Sequence, residues 1–200
     1  RVLFRSEISE PLTGEPVMTG HHLILGERTD IITGETIMDT HDERYRQKIA
    51  RLLINQKGYQ KQDIIPRIDL QVQAGEKRAV IMVDFLINLS GKVCMIIKFG
   101  PASIVTRRRP LLAASRILAP YQIPIAVVTN GENAEILEGA TGRIISQGLD
   151  TIPSREQLAE MMDANHFKPI PAKRVEMESR ILYCYEVDGS CPCDDSVCRL

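Results

Sequence analysis

The sequence has no run of 18 apolar residues, so no segment of it is expected to cross a membrane as a helix. Its start has no charged stretch followed by an apolar run, so no signal peptide is expected. The net charge is only -1, which makes no overall case for nucleic-acid binding; any basic surface must be local. Of five cysteines, four lie in the last 17 residues, unlike a secreted disulfide framework. Together these absences imply a cytoplasmic protein without membrane partners. Gly139-Ala140-Thr141-Gly142 lacks the Lys-Ser/Thr that completes a phosphate-binding loop. No Gly-x-Ser-x-Gly elbow occurs, and His21, His22, His41 and His166 form no metal-binding pattern.

What is present supports a real core: 44% of the 200 residues are hydrophobic, enough for one domain with appendages. The first 40 residues contain an internal repeat. Leu12-Thr13-Gly14-Glu15-Pro16-Val17-Met18 returns twenty residues later as Ile32-Thr33-Gly34-Glu35-Thr36-Ile37-Met38. Thr-Gly-Glu between apolar residues reads as a tight turn, so each copy is expected to form a small β-hairpin. Residues 1–39 are read as a β-hairpin arm, 40–150 as an α/β core, and 151–200 as a helical segment with a cysteine-rich tail.

Within the core, Thr40 with Glu43 fits a helix-capping box, and Tyr45, Ile49, Leu52 and Leu53 then mark one face up to Gly58. Ile68, Leu70 and Val72 alternate with polar residues, as in a strand with one wet face. Val80–Ile87 and Val93–Phe99 are nearly continuous apolar runs, expected to be strands buried on both faces. A helix is expected around Leu111–Leu118 with Pro110 near its first turn. Ile123–Thr129 and Ala134–Glu138 read as strands flanking an Asn130-Gly131 turn. Ser154 with Gln157 opens a short helix, and Arg174–Tyr185 is a last helix or strand. The order helix, three strands, helix, strand predicts an α/β fold with a mixed β-sheet flanked by helices.

Two charges interrupt the apolar runs: Asp84 on the first strand and Lys98 on the next. One reading is an inter-strand ion pair. Burying such a pair adds little stability, because desolvation offsets the attraction. The alternative is therefore a functional or formerly functional site.

An acid and a lysine on adjacent strands resemble the PD-(D/E)xK nuclease core. More narrowly, residues 40–145 resemble the N-terminal domain of type I restriction enzyme R subunits. The resemblance rests on Asp42-Glu43-Arg44 through Gly58-Tyr59, Val83-Asp84-Phe85, Ile97-Lys98, and Thr129-Asn130-Gly131 with Ala134-Glu135-Ile136-Leu137. It implies a restriction-endonuclease-like fold in which carboxylates hold Mg²⁺ and the lysine steadies charge on a scissile phosphate. Asp84 would be a metal ligand, Lys98 its cationic partner and Glu43 an auxiliary ligand. The family motif has a second carboxylate two residues before the lysine; here that residue is Ile96. The leading expectation is thus a nuclease fold with a degraded metal site that binds DNA or phosphate. A working Mg²⁺-dependent endonuclease using Glu43 and Asp84 is the first alternative. A non-catalytic assembly scaffold is the second, and homo-oligomers or other protein subunits are expected partners.

Arg107-Arg108-Arg109, with Arg116 beyond, is the one basic cluster. It is either a solvated helix start or a set of phosphate contacts at the rim of the site. Cys184, Cys191, Cys193 and Cys198 could hold Zn²⁺ or an Fe–S cluster. Their spacing of six, one and four intervening residues matches no standard zinc knuckle, which favours a structural or solvated tail. Cys94 is expected in the core.

Overall fold

Short turns between apolar runs make neighbours of consecutive strands. The computed structural model describes residues 24–101, 103–162, 167–188 and 197–199. Its first element is a hairpin of β1 (Ile24–Thr29) and β2 (Thr36–Thr40), paired antiparallel. Gly34 (φ 79°) lies in the turn, as the repeat predicts for its second copy; the first copy lies outside the described residues. The Asp30 carboxylate organises this turn by accepting the Ile32 and Thr33 N–H groups at 2.6 and 3.0 Å.

Helix α1 (His41–Asn55) starts where expected, with the Thr40 side chain accepting the Glu43 N–H. The reciprocal half of the box is not made, because the Glu43 carboxylate turns inward to Gln47 and Arg67. Ile49, Ala50 and Leu53 bury the helix against the sheet, where each large side chain contributes roughly 1.5–3 kcal/mol.

The main sheet follows the order β3 (Ile64–Ala74), β4 (Lys77–Leu89), β5 (Lys92–Phe99), β6 (Ile125–Thr129), β7 (Ala134–Glu138), β8 (Ile144–Gln147). All neighbours are antiparallel except β5 and β6, which run parallel. A parallel pair needs a crossover, and α2 (Ile104–Ser115) supplies it. Short β9 (Val197–Arg199) pairs with the first half of β4. The sheet is mixed, as predicted; β8, with only four residues, was not legible in the sequence.

Both faces are covered. Met95, Ile97, Ile125 and Val127 face a core shared with α1 and α3 (Arg155–Met161). Ile96, Ala126 and Val128 face a second core shared with α2 and α4 (Ala172–Leu182). This two-sided burial explains the unbroken apolar runs. The long β3–β4 hairpin departs from the pattern. Phe85 and Ile87 serve the first core, yet Ile81 and Val83, of the same parity, serve the second. On β3, Ile64 serves the first core while Leu70 and Val72 serve the second. Both strands therefore change face around Asp84 and Arg67. Arg67 has a φ of 50°, in the left-handed region that costs a non-glycine residue roughly 1–3 kcal/mol.

One sequence expectation is corrected and one open choice is settled. Helix α2 begins at Ile104, not near Leu111, so Pro110 is inside it rather than in its first turn. The missing Pro110 N–H leaves the carbonyl of Thr106 without its helical partner, and Thr106 is solvent-exposed. The segment after Pro171 is a helix, α4, closed by one π-turn at Tyr183–Val187. The Asn130-Gly131 turn is where expected. Gly131 has φ 83°, and a Cβ there would overlap the Tyr45 ring of α1. Gly131→Ala is expected to lower stability by more than the ~1 kcal/mol that a positive φ alone costs. A thermal-unfolding midpoint equal to wild type would contradict this packing.

No helix among the described residues is long and apolar enough to cross a membrane.

Candidate functional site

The site forms where β4 parts from β5. The ladder ends at Phe85↔Ile97, so Asp84 and Lys98 stand opposite each other just beyond it. Asp84 spans the opening: its Oδ2 accepts the Phe99 N–H at 2.7 Å, in place of a ladder bond. Its Oδ1 accepts from Arg46 Nε at 2.6 Å. Asp84 is only 2% exposed, so this guanidinium is the counter-charge that makes its burial tolerable.

Arg46 lies one turn after Glu43 on α1 and reaches Glu43 Oε2 at 3.6 Å as well. Burial works against the Arg46 charge, but Asp84 and then Glu43 outweigh it and hold its pKa above the ordinary value. Glu43 Oε1 also receives Arg67 at 2.7 Å and Gln47 at 2.9 Å. Arg67 and Gln47 in turn bind Asp30 Oδ2 at 2.6 and 3.0 Å. Burial pushes the Asp30 carboxyl up, but the Thr33 N–H, Arg67 and the Ile32 N–H outweigh it and keep the group below its usual range. Three carboxylates from the hairpin turn, α1 and β4 are thus interleaved with two guanidiniums, from α1 and β3. Arg67, at positive φ, bridges Asp30 and Glu43.

Lys98 has different company. Its Nζ donates to the Met82 carbonyl at 3.1 Å and pairs with Glu186 Oε2 at 3.1 Å. The ion partners of Asp84 and Lys98 are therefore Arg46 and Glu186, not each other. Glu186, in the π-turn, also meets Arg107 at 3.5 Å. The predicted arginine cluster divides along α2. Arg108 is held by Glu135 on β7. Arg109 and Arg116 pair with Glu178 of α4 at 2.6 and 2.8 Å, and Arg174 joins from α4 itself at 2.6 Å. Burial pushes the Arg116 pKa down despite Glu178. Burial also pushes the Glu178 carboxyl up, but Arg109, Arg174 and Arg116 together hold it below the usual range.

This donor set does not suit Mg²⁺. Both Asp84 oxygens are taken by protein donors, and a guanidinium lies between Asp84 and Glu43. Ile96, where a second carboxylate would stand, is fully buried in the α2 core. Among the described residues no group of three or more His, Cys, Asp or Glu is arranged to hold a metal ion. Cys94 is buried and Cys184 exposed, both as free thiols. Cys191 and Cys193 lie outside the described residues, and of Cys198 only the β9 backbone is described.

Sequence reasoning missed Arg46, Arg67, Asp30, Glu178 and Glu186. For Arg46 a signal existed, since it shares a helical face with Glu43. The others are joined to the site only through long-range packing.

A family model for the type I restriction enzyme R protein N terminus matches residues 41–153, more than half of the chain. The match contains Glu43, Asp84, Lys98 and all four α2-region arginines, whereas Glu178 and Glu186 lie beyond it. No curated protein and no solved structure matches the chain.

Proposed function

Because the chain belongs to the family of type I restriction enzyme R protein N termini, we propose that it is a PD-(D/E)xK-like domain whose metal site has degraded and which binds DNA without cutting it. The observation that carries this reading is Arg46, bonded to Asp84 and close to Glu43. A nuclease of this kind needs an open cation site between carboxylates, so that metal and phosphate can meet. Here a guanidinium fixed to the fold neutralises those carboxylates. It can neither release a coordinated water as hydroxide nor exchange ligands with a phosphate. Lys98 on its strand and the arginines of the α2 region are the cations of such a site whose chemistry suits phosphate. Protein subunits are the second class of partner that the family suggests.

The test is incubation of the protein with plasmid and with single-stranded DNA over a range of Mg²⁺ and Mn²⁺. The expected result is no cleavage above that of the Asp84→Ala and Lys98→Ala variants, with retarded DNA at low salt that is released as salt rises. Cleavage by wild type that both variants lose would establish a working nuclease instead. Absence of any nucleic-acid binding at low salt would leave the scaffold reading. One feature favours that second reading: Leu25 and Met38 of the β1–β2 hairpin are 45% and 51% exposed, apolar surface suited to a protein partner.

A further inference from the structure

Four cations of the matched domain, Lys98, Arg107, Arg109 and Arg116, meet carboxylates from a segment that the family match does not include. Glu186 lies on Lys98 and Arg107, and Glu178 lies on Arg109 and Arg116. Both acids are buried, at 7% and 1% exposure. Stability is a poor reason for the arrangement, because two carboxylates lose their hydration together with Lys98 and Arg116, the two buried cations. Nor is the cover complete: Arg109 Nη1 is out of solvent and has no hydrogen-bond partner. Most residues of helix α4 are solvent-exposed or half-buried. Only Glu178 and Leu182 among its residues are buried. Ile181 packs partly on the core, Tyr183 and Val187 of the π-turn add apolar contacts, and the Ser179 hydroxyl bonds the Gln73 N–H and carbonyl on β3. Four cations met by two carboxylates on a helix outside the family match have the form of a binding site occupied by its own chain.

We propose that Lys98, Arg107, Arg109 and Arg116 form the DNA-backbone surface of this protein, and that Glu178 and Glu186 occupy it as internal phosphate mimics until DNA displaces α4. The inference rests on the DNA-binding reading above and adds to it how that surface is controlled. Binding then exchanges carboxylate–cation pairs for phosphate–cation pairs, so the protein binds DNA more weakly than its cluster of cations would by itself.

The test uses the full chain. Binding of a short labelled duplex is measured by fluorescence anisotropy across a salt series, for wild type and for Glu186→Gln. The variant keeps the side-chain shape and frees Lys98 and Arg107. It is expected to bind roughly tenfold more tightly and to steepen the slope of log K against log[salt] by about one to two units. Hydrogen exchange of the wild-type protein, with and without duplex, reads the helix directly: backbone amides of residues 172–187 should lose protection when DNA binds. If DNA binds but Glu186→Gln changes neither affinity nor slope and these amides stay protected, the mimicry is refuted while the DNA-binding reading stands. If neither protein binds DNA at low salt, both fall together.

Discussion

Replacing Arg46 by methionine is expected to lower the unfolding free energy by about 3–5 kcal/mol, the usual cost of removing one partner of a buried ion pair. The reason is what stays behind. Asp84, 2% exposed, keeps the Phe99 N–H but loses the guanidinium 2.6 Å from its other oxygen. Glu43 loses a neighbouring cation at the same time. Much of the loss should return when the charge is removed as well. In the Arg46→Met/Asp84→Asn double variant, the two effects should fall short of their sum by roughly 0.5–3 kcal/mol, the range for residues in direct contact. Urea unfolding of the two single variants and the double variant measures this. Strict additivity would mean that Arg46 does not serve Asp84 in solution, and the guanidinium-filled site would have to be abandoned.

The second large effect is expected at Glu178. Its carboxylate is shared by Arg109, Arg116 and Arg174, and Arg116 is itself 8% exposed. Glu178→Ala leaves these guanidiniums without their common acceptor. Arg116 is buried but Arg109 and Arg174 are 35% and 50% exposed, so the expected cost is about 1–3 kcal/mol. The effect should depend on pH in a defined direction. Despite the upward push of burial, Arg109, Arg174 and Arg116 hold the Glu178 carboxyl below its usual range. Between its folded pKa and the ordinary glutamate value near ~4.3, the unfolded chain binds the extra proton. The stabilisation is therefore complete above that value and declines as pH falls through it toward the folded pKa. The gap between wild type and Glu178→Gln should be widest at neutral pH and narrow in acid. A gap that stays constant from neutral pH down into the acid range would show that the carboxylate charge contributes nothing there.

These two predictions concern residues that differ in how visible they were. Arg46 lies three residues after Glu43 in a helix whose start was legible from Thr40, so a helical wheel places both on one side. Nothing local marks Glu178 or Glu186. They lie on a segment whose helical state was itself undecided, and their partners on α2 and β5 are 62 or more residues away in the chain. Arg67 illustrates a third case. Its left-handed φ arises where β3 and β4 change face together, and no composition rule demands a strained arginine in the middle of a strand.

Local physical chemistry determined α1, α3 and the central strands from sequence alone. Apolar runs longer than one alternation made β4, β5 and β6 two-sided strands; Thr40 and the Ser154-Gln157 pair capped α1 and α3; glycines at positive φ placed the turns. The same residues, in their order, carried the family resemblance and singled out Asp84, Lys98 and the missing carboxylate at Ile96. Only the tertiary structure decided which charge neutralises which. A buried ion takes whatever counter-ion the packing brings within about 3 Å, and its Coulomb energy depends on that distance and on exclusion of water, not on separation along the chain. Hence Asp84 is served by Arg46 rather than by Lys98 across the strand, and Lys98 is served by Glu186 from the far end of the chain.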